Sequence, residues 1–316
     1  MNRYVAALRQ ACMDTLDQSD ETNVRGWDTV ESAARTVFGY CAHRPAAIDG
    51  PHSGDRLHWC VCSSALIYSS ALNSAHTRIL LMRYMVGMTA SESDRRMVNW
   101  MALFFLCVND TPHLLARLLK AERSAVDAVD NKQWTALMFA AHGGHEQCAL
   151  ALIKAGANVN ATDEDDWTAL MYACQNGREQ CALELLKAGA AVNHAAANGA
   201  TALIIACENG HEQCALELLK AKADPNKAAD DGWTALMCAA QGGHEQCARA
   251  LIEAKANVNA TDEEGWTSLM QACDGGHEQC ALALIKANAN LEAALPSGRT
   301  SLEISLCKGH DSVIRV

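Results

Sequence analysis

The 316-residue chain contains few prolines, few aromatic residues and fewer basic than acidic residues. Five prolines and an aromatic content of 5% favour helices over a β-sandwich or barrel. Lys and Arg number 26 against 37 Asp and Glu, which gives a formal net charge of −11. A nucleic-acid partner is therefore not expected, because phosphate binding needs clustered basic side chains.

Hydrophobic runs long enough for a secretory leader or a membrane span are also missing. Arg3, Arg9 and Asp14 interrupt the first segment, so no signal peptide is predicted. The most apolar stretch, residues 97–108, includes Asn99 and is shorter than the roughly 20 residues of a membrane helix. The fifteen cysteines lie largely in apolar helical patterns, so we expect a reducing compartment, the cytoplasm or the nucleus.

An internal repeat dominates the C-terminal part of the chain. Four tryptophans recur on a period of 33 residues: Trp134, Trp167, Trp233 and Trp266. Ala200 occupies the missing position. The copies are nearly identical, from WTALMFAAHGGHEQCALALIKAGANVNAT in the first to WTSLMQACDGGHEQCALALIKANANLEAA in the fifth, and a shorter sixth reads RTSLEISLCKGHDSVIRV. Self-similarity at this period predicts a solenoid of stacked units.

Each unit predicts two helices and a loop. Thr135 caps a first helix that ends near residues 143–144, where glycine suits a left-handed turn. A second helix follows from about His145 and ends at Gly156, before turn-forming residues. The buried stripe of the second helix is predicted to comprise Cys148, Ala149, Leu152 and Ile153.

The unit resembles the ankyrin repeat. The resemblance rests on the period, a T-A-L-M segment where the family has T-P-L-H, the G-H before the second helix and the A-G-A-x-V-N ending. It implies an all-α, right-handed solenoid with protruding β-hairpin-like loops. Because Ala or Ser replaces the family's Pro and Met or Ile replaces its His, we expect packing to replace some turn hydrogen bonds. Units 1 to 5 are predicted at 131–162, 163–195, 196–228, 229–261 and 262–294, with a truncated unit 6 at 295–316.

Upstream of residue 131 the repeat pattern weakens. Residues 57–130 are interpreted as degenerate ankyrin-like repeats that cap the stack, because terminal repeats are atypical. Residues 1–56 predict two helices, 2–17 and 27–42, of no assigned family. Four leucines of the degenerate part match the second-helix stripe: Leu114, Leu115, Leu118 and Leu119.

Recurrent cysteines and histidines are interpreted as structural. Equivalent positions of stacked helices lie about 8–10 Å apart, beyond the Cα limit of about 7 Å for a disulfide. We therefore favour small apolar core residues over a redox or metal ladder for Cys148, Cys181, Cys214, Cys247 and Cys280. A catalytic group is needed only once, so the histidines of the repeated G-H-E-Q run are expected to fix turns: His145, His211, His244 and His277. No catalytic motif is found, and an enzyme is not predicted.

The N-terminal part holds a further group of potential metal ligands. Cys60 and Cys62 are separated by one residue, unlike the C-x-x-C pairs of closed zinc sites, so neither metal nor cofactor is predicted. An N-terminal catalytic or metal-binding module, with the repeats as its targeting arm, is the alternative, and a purely structural spacer is another. The potential ligands are Cys41, His43, His52, His58, Cys60, Cys62 and His76.

The resemblance also implies where a partner binds. In the ankyrin family, loop tips and first-helix residues line a concave groove that contacts protein partners. Residues 131–316 hold 13 basic and 23 acidic residues, a net charge of 13 − 23 = −10, so a basic protein segment is the expected ligand. The predicted contacts are Trp134, Trp167, Trp233, Trp266, Phe139, Tyr172, Ile205, Asp163, Glu164, Asp165, Asp166, Asp230, Asp231, Glu263 and Glu264. Cys238 and Gln271 occupy the variable first-helix position in units 4 and 5.

Two further sets of residues recur with the 33-residue period. Four leucines opposite the buried stripe predict an exposed row for docking or self-association of a chain otherwise expected to be monomeric: Leu150, Leu183, Leu216 and Leu282. Packing between neighbouring helices is the alternative interpretation of that row. By resemblance, four asparagines match a position that asparaginyl hydroxylases modify in some ankyrin proteins: Asn160, Asn193, Asn226 and Asn259.

Overall fold

The computed structural model describes residues 103–314, apart from residues 105, 108–109, 122–125 and 131. The described residues belong to one compact unit, Leu103–Val316. The predicted helices 2–17 and 27–42, the boundary at residue 56 and the potential zinc ligands lie outside the described residues.

Helices alternate between two rows. The first helices of the units are α2 (Ala136–Gly143), α4 (Ala169–Gln175), α6 (Ala202–Glu208), α8 (Ala235–Gln241), α10 (Ser268–Gly275) and α12 (Ser301–Lys308). The second row consists of α1 (Pro112–Ala121), α3 (Glu146–Ala155), α5 (Glu179–Lys187), α7 (Glu212–Lys220), α9 (Glu245–Glu253), α11 (Glu278–Lys286) and α13 (Asp311–Ile314). First helices pack against the first helices of neighbouring units, and second helices against second helices, so the predicted stack of helix pairs is confirmed.

A threonine cap starts each first helix, as the sequence predicts. Thr135 is extended, and its Oγ1 accepts a hydrogen bond from the Met138 backbone N–H at 3.2 Å. The Thr135 backbone N–H contacts Met138 Sδ at 3.4 Å, where the family's histidine would stand. Met138 is fully buried, so packing does accompany this replacement. The same cap recurs at Thr168, Thr201, Thr234 and Thr267.

Glycine ends the first helices where a left-handed backbone is needed. Gly144 and Gly276 end α2 and α10 with φ of 79° and 72°. At Gly177 the backbone has φ of 62°, and an added Cβ would lie 2.6 Å from Nδ1 of His211. A side chain at this position would therefore collide with the next unit.

Apolar side chains fill the space between the two rows of helices. Cys148, Ala149 and Leu152 are buried as predicted, whereas Ile153 is half-buried. Upstream, α1 packs against α3 and buries Leu115, Leu118 and Leu119, as the degenerate repeat pattern predicts. The side chain of Leu114 lies outside the described part of the structure.

Two ladders of hydrogen bonds tie each unit to its neighbour. The ring Nε2 of His211 contacts the Gln175 carbonyl of the preceding unit at 3.0 Å, and the same bond recurs at His244, His277 and His310. In unit 2, Nε of Arg178 donates to the His142 carbonyl instead. These bonds agree with the structural interpretation of His211, His244 and His277.

The second ladder runs along the loops. Oδ1 of Asn193 accepts a hydrogen bond from the Asp224 backbone N–H of the next unit at 2.8 Å. Asn160, Asn226 and Asn259 accept equivalent bonds 31 residues onward. The regular spacing of these asparagines is thus explained by a contact between units.

Within the described residues, the helices are too short or too polar for a transmembrane span.

Candidate functional site

The loops that connect successive units form a row beside the first helices. Each is pinched by a single antiparallel bridge, such as Thr162 with Thr168, rather than by a full strand pair. We call the six loops between these bridges the loop row. The bridges are Val129–Thr135, Thr162–Thr168, Ala195–Thr201, Ala228–Thr234, Thr261–Thr267 and Ala294–Thr300.

A side-chain oxygen closes five of these loops. In unit 2, Oδ1 of Asp163 accepts from the backbone N–H groups of Asp165 and Trp167, at 3.0 and 2.8 Å. Asp130 and Asp262 close the loops of units 1 and 5 in the same way. In units 3 and 4 alanine replaces this aspartate. There the loops are closed by Asn198 and Asp231, whose Oδ1 atoms accept from the backbone N–H groups of Ala200 and Trp233. The tryptophans are therefore held in place through their own backbones.

The prediction that Asp163 is a loop-tip contact needs correction. Asp163 is 7% exposed, and its Oδ2 accepts a hydrogen bond from the Tyr172 hydroxyl. The Trp134 ring of unit 1 packs against the Tyr172 ring, with centroids 4.3 Å apart. Burial, followed by the Asp163 carboxylate, raises the pKa of Tyr172 well above its ordinary value. Asp163 and Tyr172 thus join units 1 and 2 instead of facing a partner.

The variable first-helix position is also less accessible than predicted. Ile205 is 2% exposed, and Cys238 and Gln271 are each 6% exposed, because neighbouring units cover them. Tyr172 is buried, and Phe139 alone among the five is half-buried. The prediction that Ile205 contacts a partner directly is therefore wrong. The change of residue from unit to unit at this position alters the packing beneath the surface.

Acidic side chains remain exposed along the loop row. The exposed carboxylates are Glu164, Asp165, Asp166, Asp230, Asp231, Glu263 and Glu264. Within the described part of the chain, no Lys or Arg forms an ion pair with any of them. Basic residues on the loop row stand at its two ends, Lys132 in unit 1 and Arg299 in unit 6. The middle of the row is therefore a surface of one charge sign.

Aromatic rings cluster at one end of the row. The Trp134 ring centroid lies 4.6 Å from that of Phe139 and 4.3 Å from that of Tyr172. Trp167 lies 5.2 Å from Tyr172 on the other side. We call the aromatic cluster the set Phe104, Trp134, Phe139, His142, Trp167 and Tyr172. Among described residues, Trp233 and Trp266 take part in no such ring contacts.

The predicted leucine row on the second helices is not exposed. Leu150, Leu183, Leu216 and Leu282 are all half-buried, which favours packing between neighbouring helices. Arg249 stands at the equivalent position of unit 4, where it is exposed and pairs with Glu245 at 2.6 Å. Self-association through this row stays a prediction.

The thiols pair across units in a way that the sequence reasoning missed. First-helix thiols interact with second-helix thiols of the following unit, Cys174 with Cys214 and Cys207 with Cys247. Burial raises the pKa of Cys280 to about 11 and that of Cys238 to about 12. The described cysteines are buried except Cys307, which fits the predicted role as core residues. No cluster of potential metal ligands was found in the portion of the chain that the structure describes.

The last unit exposes apolar side chains that the other units bury. Leu302 is 53% exposed, whereas its equivalents Leu137 and Leu269 are at most 2% exposed. Leu306, one turn later on α12, is 56% exposed. The signal was present in the sequence, because position 306 is alanine or cysteine in every other unit.

Comparisons with known proteins agree with this architecture. The family model described as ankyrin repeats (3 copies) matches overlapping segments at 57–163, 101–196, 156–229, 181–262, 217–294 and 254–316. The chain belongs to the ankyrin-repeat family. Its ankyrin solenoid is similar to the crystal structure of the human ASB11 ankyrin repeat domain, with a TM-score of 0.60 and 25% identity. That alignment covers 67% of this chain and 96% of the other. A search of curated proteins finds none that matches.

Ankyrin repeats are generally modules for protein–protein interaction, and their fold is typically non-catalytic. The match to residues 57–130 agrees with the interpretation of that segment as degenerate ankyrin repeats.

Proposed function

We propose that this ankyrin-repeat chain is a non-catalytic adaptor of the cytoplasm or nucleus that captures a basic protein segment along the loop row. The segment lies across the exposed loop tips and the half-buried tryptophans. Phe139 contributes from its first helix, whereas Ile205, Tyr172 and Asp163 support the surface from below.

The observation that supports this proposal is the contrast between framework and surface. The framework positions Thr135, Leu137 and Cys148 recur from unit to unit and are buried. On the loop row, seven exposed carboxylates lack a basic partner within the described residues. Carboxylates of one sign beside rigid tryptophans are complementary to Lys and Arg side chains and speed their encounter.

Quantitative affinity capture from cell lysate, followed by mass spectrometry, tests the proposal. The test variant Asp165→Asn/Glu263→Gln removes two exposed carboxylates from different loops. We expect it to retain less of the bound partner than the original chain, and the difference to shrink at higher salt, which screens the contribution of the removed charges.

The matched control is Glu212→Gln/Glu253→Gln, which changes the net charge equally on the second helices. It should capture the same partners as the original chain. Equal capture by both double variants would contradict the proposal and favour a structural spacer.

A further inference from the structure

The loop row is not uniform along its length. Units 1 and 2 bring the aromatic cluster together, while the variable first-helix position changes to Ile205, Cys238 and Gln271 in units 3 to 5. The exposed carboxylates, in contrast, occur in units 2, 4 and 5. Aromatic rings and exposed carboxylates therefore coincide in unit 2.

The rings of the cluster are held in fixed positions. The Trp134 ring packs against Phe139 and Tyr172, with ring centroids 4.6 and 4.3 Å away. The backbone N–H of Trp167 is held by Asp163 at 2.8 Å. Both tryptophans are nevertheless half-buried, so part of each indole faces solvent. Aromatic surfaces that are already immobile lose little side-chain entropy when a ligand binds.

Carboxylates stand beside this aromatic surface. Asp165 lies two residues before Trp167 in the same closed loop, and its charge acts on the Tyr172 hydroxyl through space. Its carboxylate and that of Glu164 are exposed. A ligand group that lies on the rings can therefore reach an acidic partner.

We propose that the exposed face of the aromatic cluster, with Asp165 and Glu164, binds an arginine side chain of the partner segment. A guanidinium is planar, stacks on aromatic faces and pairs with a carboxylate through two parallel hydrogen bonds. Its weak hydration lowers the cost of leaving water, compared with a lysine ammonium. This inference rests on the proposed function and adds the position and chemistry of its principal anchor.

Unit 5 provides an internal comparison. Its loop is closed by Asp262 as the unit 2 loop is by Asp163, and it carries Trp266 and two exposed carboxylates. It has Gln271 in place of Tyr172. Both units thus carry a tryptophan and exposed carboxylates. Unit 2 differs in the aromatic rings that surround its tryptophan.

The experiment is fluorine NMR of the full chain labelled with 5-fluorotryptophan, with its seven tryptophan signals assigned by single Trp→Phe variants. The probe is the peptide acetyl-Gly-Ser-Arg-Ser-Gly-amide, and its matched control carries citrulline, a neutral isostere, in place of arginine. We expect the arginine peptide to shift the Trp134 and Trp167 signals saturably, with those of Trp233 and Trp266 unchanged. Cation–π attraction at an exposed site predicts at least about threefold weaker binding of the citrulline peptide.

The variant Asp165→Asn should weaken binding of the arginine peptide but not binding of the citrulline peptide. Unchanged Trp233 and Trp266 signals in this variant would show that its fold is intact. A third peptide carries lysine in place of arginine. Equal shifts at Trp134, Trp167, Trp233 and Trp266, equal binding of the arginine and citrulline peptides, or tighter binding of the lysine peptide would each overturn the arginine site.

A selection from a displayed library of random peptides separates this failure from failure of the proposed function. If selected peptides that contain no arginine shift the Trp233 or Trp266 signals, the adaptor function is supported and the arginine site is refuted. If no loop-row substitution changes the binding of the selected peptides, both the adaptor function along the loop row and the arginine site are refuted.

Discussion

The hydroxyl of Tyr172 donates a buried hydrogen bond to Asp163, the residue that closes the loop of its own unit. The ring of the same tyrosine packs against Trp134 of the preceding unit, with centroids 4.3 Å apart. One phenol thus connects a loop, a first helix and a neighbouring tryptophan.

Replacing Tyr172 with phenylalanine is expected to lower the free energy of unfolding by about 1–3 kcal/mol, because the buried Asp163 carboxylate loses a donor. Urea unfolding followed by circular dichroism measures the change. The double variant Tyr172→Phe/Asp163→Asn should be destabilised by less than the sum of the two single changes, since the residues are in contact. Strict additivity would contradict the bond.

The same tyrosine should make stability depend on alkaline pH. Its folded-state pKa lies above the usual value of 10.0, so the unfolded chain releases that proton first as pH rises past 10.0. The contribution is complete below that pH and is lost progressively above it. Urea midpoints measured at pH 8 and at pH 11, on either side of the usual tyrosine pKa of 10.0, should therefore fall more for the original chain than for Tyr172→Phe.

Ser268 offers a stabilising substitution. Its buried Oγ has no hydrogen-bond partner among the described residues, and four other units have alanine at this position. Ser268→Ala should raise the free energy of unfolding by about 1 kcal/mol, because an unsatisfied buried hydroxyl is removed. The reverse change, Ala235→Ser in unit 4, should lower it. A fall in the urea midpoint of Ser268→Ala would refute this assignment.

The histidine ladder predicts a difference between two substitutions at one site. His211→Ala removes the bond to the Gln175 carbonyl and should cost about 1 kcal/mol. His211→Arg should cost less, since Arg178 makes the equivalent bond to the His142 carbonyl in unit 2. Urea midpoints of the two variants test this order, and equal losses would show that the ring acts by packing alone.

Thiol reactivity should follow burial. Cys307 is exposed, whereas Cys280 is 1% exposed and has its pKa raised to about 11 by burial. Labelling of the folded chain with Ellman's reagent at pH 8 should lose one fast-reacting thiol in Cys307→Ser and none in Cys280→Ser, because only the thiolate reacts. Loss of a fast thiol in Cys280→Ser would mean that the core opens readily.

The sequence predicts the framework well because every framework signal occurs several times. The Thr135 cap, the left-handed glycines and the buried Cys148 stripe each recur on the 33-residue period, so chance matches are averaged out. Their physical causes are local to one unit or to one junction, and a periodic sequence specifies both.

The site could be predicted only in outline. Asp163 and Asp165 belong to one acidic run, and nothing local shows that the first turns inward to Tyr172 while the second stays exposed. Burial of Ile205 depends on how closely the neighbouring units approach, which is a property of the stack. Variation between units was interpreted as partner contact, whereas at this position it adjusts packing.

The recurring bonds at each junction have an evolutionary consequence. An additional copy inserted between units 3 and 4 would offer a histidine to the unit before it and a glycine to the unit after it. It would therefore meet ready-made partners on both sides. Gene duplication or deletion in steps of 33 codons can lengthen or shorten the recognition surface without inventing a new interface. The aromatic end has no such spare copy, because units 3 to 5 hold no aromatic residue at the position of Phe139 and Tyr172.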